Sequence, residues 1–176
     1  MNENILEIIK YTIPALAAIG TTYLIHYLQN EKLANETANK MKLNMQDKVL
    51  PLRLTAYERC VLFLERIQPY SIFPRLNPHN RTVGSLHEML LKEINEEFEY
   101  NVVQQLYVSP IAWKMLVNTK NSYIKMIDEL AAKYMPQEPG LELANAILLA
   151  MKEEETAPPF KTTIEFFKKE LTTVFF

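Results

Sequence analysis

An arginine and three polar residues are the side chains best placed to do chemistry together. Arg53 lies on the apolar side of one predicted helix, and Glu97, Asn101 and Gln105 follow one another at four-residue intervals in the next. Helical residues four apart share a face, and an antiparallel pairing of the two helices would bring Arg53 to Glu97. A buried guanidinium needs a carboxylate and further hydrogen bonds. We therefore predict a partly buried Arg53–Glu97 ion pair, completed by Asn101 or Gln105.

This predicted cluster has two interpretations. The first is structural, a pair that fixes the register of two helices, and it is favoured because no nucleophile, histidine or glycine loop accompanies the cluster. The second is an enzyme of unknown reaction that uses Arg53, Tyr57, Glu58 and Glu97. The sequence has no Walker loop, Gly-x-Gly-x-x-Gly, Gly-x-Ser-x-Gly or His-Glu-x-x-His motif. We therefore predict no catalytic residue and no enzyme.

The metal-binding residue types do not form a recognisable site. A carboxylate-bridged di-metal site in a helical bundle needs two Glu-x-x-His motifs, and none of His26, His79 and His87 has a glutamate three positions earlier. Cys60 is the only cysteine, which excludes an internal disulfide. Its apolar neighbours predict a buried, unreactive thiol. We therefore expect no bound metal and no cofactor.

The composition predicts an all-α protein. The chain has only 3 glycines in 176 residues, and no alternating strand pattern occurs between turn signals. The net charge of -2 argues against a general nucleic-acid-binding protein. We divide the chain into an N-terminal membrane anchor (1–28), a polar helical stalk (29–50) and a compact bundle of about five helices (51–176).

The anchor is predicted from residues 11–28, which contain no Asp, Glu, Lys or Arg. A membrane helix needs about 17–25 apolar residues, and the apolar residues among 5–9 extend this run, so residues 5–28 would contact the membrane. A buried core helix and an amphipathic surface helix are the alternatives. Lys10 precedes the run and four lysines follow it up to residue 48. The positive-inside rule then predicts a bacterial inner-membrane protein with its N-terminus outside and its C-terminal domain in the cytoplasm.

The stalk, residues 29–50, is polar and free of Gly and Pro. A poor coiled-coil seam begins in the anchor and continues through the stalk. A single solvated helix is the favoured interpretation. The alternative is that the seam supports a weak homo-oligomer through the stalk. The residues of this seam are Leu24, Tyr27, Glu31, Ala34, Ala38, Met41 and Met45.

The bundle is predicted to contain helices at 51–68, 85–107, 109–135, 141–154 and 159–174, with an irregular connection at 70–82. The predicted N-caps are Ser85, in a capping box with Glu88, and Ser109 before Pro110. The first of these helices has an apolar arc wider than half its circumference, which predicts neighbours on several sides. The chain ends on Phe175 and Phe176, which either close the bundle or form an apolar tag for a partner or the bilayer surface.

Several short motifs carry a family resemblance. They include Pro-Leu-Arg-Leu at 51–54, Ala-Tyr-Glu-Arg at 56–59, Glu-Glu-Phe-Glu at 96–99 and Tyr-Val-Ser at 107–109. With the anchor, stalk and last helix, they resemble an uncharacterised family of small membrane-anchored α-helical proteins of Bacteroidota. The resemblance spans nearly the whole chain, although Tyr100 stands where the family pattern suggests a histidine. It implies the anchor and the fold, and it assigns no activity.

The predicted function is a single-pass, membrane-anchored adaptor or accessory subunit of an envelope complex that binds another protein. The enzyme described above is one alternative. The other is a membrane-surface or lipid sensor that uses the last helix.

Overall fold

The computed structural model describes residues 16, 19–29, 32, 48–153 and 158–175, and it divides the chain into two units, Met1–Leu50 and Pro51–Phe176. The described residues of the first unit are all helical and exposed. In the parts of the chain that the structure describes, no helix is both long enough and apolar enough to cross a membrane. Much of the predicted anchor and stalk, including residues 1–15 and 33–47, lies outside the described residues.

The second unit is a compact, all-helical bundle. Its described residues form six α-helices and two 3₁₀ helices, and an isolated bridge between Thr82 and Pro139 is the only extended pairing among them. The α-helices are α1 (51–66), α2 (Pro69–Leu76), α3 (Val83–Asn101), α4 (Pro110–Ala131), α5 (Gly140–Ala150) and α6 (Phe160–Phe175). The 3₁₀ helices are η1 (Pro78–Asn80) and η2 (Val102–Leu106).

The prediction of an irregular connection at 70–82 is wrong, because α2 occupies its first half. Pro69 takes the first helical position, where its missing N–H costs nothing. The helix buries Ile72, Phe73 and Leu76. It ends at Asn77, which adopts a left-handed conformation with φ of 48°. A proline that ends α1 therefore also starts the next helix.

The ends of α3 also differ from the prediction. Thr82, not Ser85, is the N-cap, and its hydroxyl accepts a hydrogen bond from the Ser85 backbone N–H at 3.3 Å. The chain then tightens into η2 after Asn101, so the predicted helix 85–107 is two elements. The predicted cap of α4 is confirmed: the Ser109 hydroxyl accepts from the Ala112 N–H at 3.1 Å, with Pro110 at the first helical position.

The core is built around α3 and α4, with aromatic contacts tying α1 and α6 to it. Phe63 of α1 meets Phe98 of α3 edge-on at 5.9 Å, and Phe98 stacks on Trp113 of α4 at 5.6 Å. Tyr123 of α4 meets Phe160 of α6 at 5.2 Å. Such pairs add directional energy to apolar burial. The largest fully buried side chains are Tyr57, Tyr123, Phe63, Phe167, Leu64, Ile67, Ile72, Leu86, Leu90, Ile94, Leu116 and Ile127.

The helix α1 buries only one face, contrary to the expectation that it needs neighbours on several sides. Ala56, Tyr57, Cys60, Phe63 and Leu64 recur at helical spacing and are at most 1% exposed. Val61 is partly buried against the core, whereas three leucines of α1 are exposed to solvent. These exposed residues are Leu52, Leu54 and Leu62.

Two connecting segments are joined through their backbones. The α2–α3 connection meets the α4–α5 connection where the Gly140 N–H donates to the Arg81 carbonyl at 2.7 Å, and the Val83 N–H donates to the Glu138 carbonyl at 2.8 Å. A Cβ on Gly140 would lie 2.9 Å from the Pro78 carbonyl oxygen and 3.0 Å from that of Arg81. Only glycine therefore allows this approach.

We predict that Gly140→Ala lowers the free energy of unfolding by about 1–3 kcal/mol, because an inserted methyl group must push two backbone segments apart. Denaturant titration of the full chain, followed by circular dichroism, measures the change. Gly20→Ala is the control, because nothing lies within 4 Å of a Cβ at that position, and it should stay within about 0.5 kcal/mol of the unmodified chain. A Gly140→Ala protein as stable as its parent would contradict the packing described above.

Candidate functional site

The predicted ion pair between Arg53 and Glu97 does not form. The Arg53 Nε donates instead to the backbone carbonyl of Tyr107 at 3.2 Å. Glu97 pairs with Arg66, whose Nε lies 3.2 Å from the carboxylate. Asn101 donates through Nδ2 to the Glu97 carbonyl of its own helix at 2.8 Å. Gln105 is exposed in η2, so the four predicted residues do not form one polar cluster.

The cause is a shift in the pairing of α1 with α3, since the residue beside Glu97 is Arg66, 13 positions after Arg53. The prediction placed the start of α1 beside Glu97, whereas the structure places the end of α1 there, through Arg66. The next helix continues the same row, since Arg75 of α2 pairs with Glu93 at 3.2 Å. An eight-residue helix adds about 12 Å along the axis. Because α2 packs along that length of α3, α1 packs on the part of α3 that lies closer to η2.

The same shift separates the residues of the enzyme alternative. Arg53, Tyr57 and Glu58 remain together on α1, whereas Glu97 points to Arg66. The described residues contain no group of three or more His, Cys, Asp or Glu side chains arranged to hold a metal ion. Cys60 is fully buried, and burial raises the pKa of its thiol to about 12. The protonated thiol is a poor nucleophile.

An open, almost entirely apolar groove lies between α1 and α6 of the second unit and is here named the α1–α6 groove. Its volume is about 420 Å³. The ring of Tyr57 meets Phe167 edge-on at 5.7 Å at its floor. The residues that line it are Leu54, Tyr57, Glu58, Val61, Leu62, Glu65, Phe167, Lys168 and Leu171.

Two buried polar atoms lack hydrogen-bond partners near the floor of this groove. They are the hydroxyl oxygen of Tyr57 and the Oε2 atom of Glu170. Burial first, and then the negative charge of Glu170, raises the pKa of Tyr57. The backbone of Ser109 and the side chain of Arg53 act in the opposite direction on that pKa. The hydroxyl is thus close to several polar groups without a well-formed hydrogen bond to any of them.

The rims of the groove carry opposite charges. On the α1 rim, Glu65 is engaged, because it accepts hydrogen bonds from the Tyr70 hydroxyl and from the Gln68 amide at 3.2 Å. Glu58 on α1 and Lys168 on α6 are exposed, and neither side chain has an ion-pair or hydrogen-bond partner within the described residues. The groove therefore combines an apolar floor with one free acid and one free base.

A second exposed apolar surface, here named the η2 patch, lies where α3 turns through η2 into α4. Tyr100, Val103, Leu106 and Ile111 are 80%, 57%, 74% and 64% exposed, respectively. Residues three apart in a 3₁₀ helix lie on one side, so Val103 and Leu106 point the same way. The stacked rings of Phe98 and Trp113 join α3 to α4 on either side of this turn.

Some residues in and beside the α1–α6 groove were missed or only partly found from sequence. Tyr57 and Glu58 were considered as parts of an enzyme, whereas Lys168 and Glu170 were not singled out. The signal that could have found them is their position on α6, one and three residues after the buried Phe167. The candidate interaction residues at the C-terminus stay a prediction. Phe175 is the last helical residue of α6, but its side chain and the whole of Phe176 lie outside the described part of the chain.

We predict that Tyr57→Phe leaves the free energy of unfolding unchanged or raises it by about 1 kcal/mol, because it removes a buried hydroxyl that has no partner. Tyr70→Phe is the matched control: its hydroxyl is bonded to Glu65, so its loss should be slightly destabilising. Denaturant titration of the full chain reports both values. A loss above about 1 kcal/mol for Tyr57→Phe would mean that its hydroxyl is hydrogen-bonded.

Comparison with known proteins finds one family model, for a family of unknown function, that matches residues 3–174. No curated protein and no solved structure matches the chain. The match covers both units.

Proposed function

Because the chain belongs to DUF7935, a family of unknown function, we propose its role from its surfaces: it is a membrane-anchored helical adaptor, or an accessory subunit of an envelope complex, that binds another protein. The observation that carries this proposal is the η2 patch. A domain of this size has a well-formed core yet leaves Tyr100, Val103, Leu106 and Ile111 largely in solvent. Clustered exposed apolar residues mark interaction surfaces.

The chemistry of the η2 patch favours a protein partner. It combines a tyrosine with aliphatic side chains on a short turn, and aromatic residues are enriched in the buried centres of protein interfaces. Lys120 supplies a positive charge beside Phe98, since its Nζ lies 4.5 Å above the Phe98 ring. Burial lowers the pKa of Lys120, and the charge of Glu99 opposes that shift. An apolar centre with a charged edge is the usual anatomy of such an interface.

The anchor is supported by the first unit taken by itself. Leu16, Ile19, Leu24, Ile25 and Leu28 are each at least 48% exposed. Stepping 100° per residue puts Leu24, Ile25 and Ile19 on different sides of the helix. A helix that is apolar on all sides is typical of a membrane span or of the core of a large protein, and this chain has only 176 residues. We propose on this basis that residues 5–28 cross the bacterial inner membrane, with the N-terminus outside and the bundle in the cytoplasm.

Membrane association is tested with the triple variant Ile19→Ser, Leu24→Ser and Ile25→Ser in the full chain. Serine at the centre of a membrane helix removes the favourable transfer energy of each apolar side chain. We expect the variant to move from the membrane pellet to the supernatant after alkaline carbonate extraction. The control is Tyr100→Ser, Val103→Ser and Leu106→Ser, which should stay in the pellet. A triple anchor variant that also stays in the pellet would contradict the proposed anchor.

Partner binding is tested by placing a photo-crosslinking amino acid at Leu106 and irradiating native membranes. We expect one discrete adduct with another protein, because Leu106 lies at the exposed centre of the η2 patch. The matched control position is Glu129, which is exposed on α4 in a polar setting beside Lys125.

The outcomes separate the adaptor from the lipid sensor. A protein adduct specific to Leu106, which Tyr100→Ser abolishes, supports the adaptor. Adducts with lipid alone would support the lipid sensor and would overturn the adaptor, as would identical adduct patterns at Leu106 and Glu129.

A further inference from the structure

The α1–α6 groove leaves exposed apolar surface and unpaired charge together. Leu54 and Leu62 are 39% and 53% exposed. Glu58 stands on the α1 rim and Lys168 on the α6 rim. Both lie next to the contact between Tyr57 and Phe167, so the two charges stand at the same height along the groove, on opposite sides.

We propose that a second copy of this chain covers the groove, with α1 of each copy packed against α6 of the other. The interface is self-complementary. The α1 rim carries the acid and the α6 rim carries the base, so the acid of each copy can pair with the base of the other. Most soluble oligomers of identical chains are two-fold symmetric dimers whose interface is the same patch on both copies.

Charge selects one of the two symmetric arrangements. If the two-fold axis runs along the groove, α1 faces the partner's α6, and Glu58 faces the partner's Lys168. If the axis runs across the groove, α1 faces α1, and Glu58 lies against a second acidic rim. Like charges placed opposite one another at an interface are unfavourable. The axis along the groove is therefore preferred.

The same arrangement keeps the two copies parallel, because rotation about an axis along the helices preserves their direction. Both α1 helices then begin at the same end of the dimer. This geometry suits two chains that are anchored in one membrane, and this one argument rests on the proposed anchor. The charge argument does not depend on it.

The groove has room for side chains inserted from the second copy. Its volume is about 420 Å³, and its lining is almost entirely apolar. Leu54 and Leu62 project from a rim as side chains suited to enter the partner's groove. Each copy thus supplies both the apolar side chains and the space that receives them.

The first experiment uses cysteine crosslinking of the full chain in native membranes. Two differently tagged copies, Glu58→Cys and Lys168→Cys, are co-expressed in a Cys60→Ser background, and a short bis-maleimide is added. We expect a crosslink that carries both tags. Two tagged Glu58→Cys copies should give at most a trace, and so should a pair that combines Glu58→Cys with Lys125→Cys on α4.

The second experiment reverses the charges and measures the dimer fraction of the full chain in detergent by sedimentation. Glu58→Lys should lower the association constant several-fold, and the double variant Glu58→Lys, Lys168→Glu should restore it. The circular dichroism spectrum of each variant confirms that the bundle is folded. Recovery by the charge swap is a result that a general loss of stability would not produce.

Several results would overturn the inference. They are the absence of a two-tag crosslink, a Glu58–Glu58 crosslink as strong as the Glu58–Lys168 one, a crosslink from residue 58 to another protein, and a dimer fraction insensitive to Glu58→Lys or not restored by the swap. Membrane retention and the Leu106 adduct are measured separately. A chain that keeps both of these but stays monomeric would reject the dimer alone and leave the adaptor standing.

Discussion

The packing arrangement of the helices depends on backbone hydrogen bonds between two connecting segments. The segment before α3 and the segment before α5 meet at Val83, Gly84 and Gly140, whose N–H groups donate to the carbonyls of Glu138, Pro136 and Arg81. Buried backbone groups must be paired, and here each connection pairs the other. This contact sets where α3 and α5 begin, and α3 then provides the surface on which α2 and α4 pack.

The position of α1 follows from that arrangement. Because α2 covers the first part of α3, α1 reaches only the second part, where Arg66 meets Glu97 and Phe63 meets Phe98. One face of α1 is then fully buried, and its exposed leucines have no covering element within the described part of the second unit. The groove beside α6 is the consequence. Burying such surface is worth about 25 cal/mol per Å², which makes an uncovered groove a site for association.

Polar side chains in this bundle serve the junctions between helices. Thr119 of α4 and Thr163 of α6 are fully buried, and their hydroxyl oxygens lie 2.7 Å apart. Thr119 also donates to the Met115 carbonyl, which leaves Thr163 as the donor in the pair. His87 and Asp128 join α3 to α4 at 2.6 Å near the surface. Each such contact links two helices whose apolar faces alone would allow sliding.

The sequence by itself determined the helical class, the existence of five of the six α-helices of the second unit, and the cap of α4 at Ser109. These follow from local physics, namely apolar spacing, the scarcity of glycine and capping chemistry. The tertiary structure decided the rest. Pro69 reads equally as a stop and as a start, so α2 was missed, and with it the register that sends Arg53 to Tyr107 and Glu97 to Arg66. Pairings between distant helices depend on which surfaces remain free after the others have packed, and no local pattern contains that information.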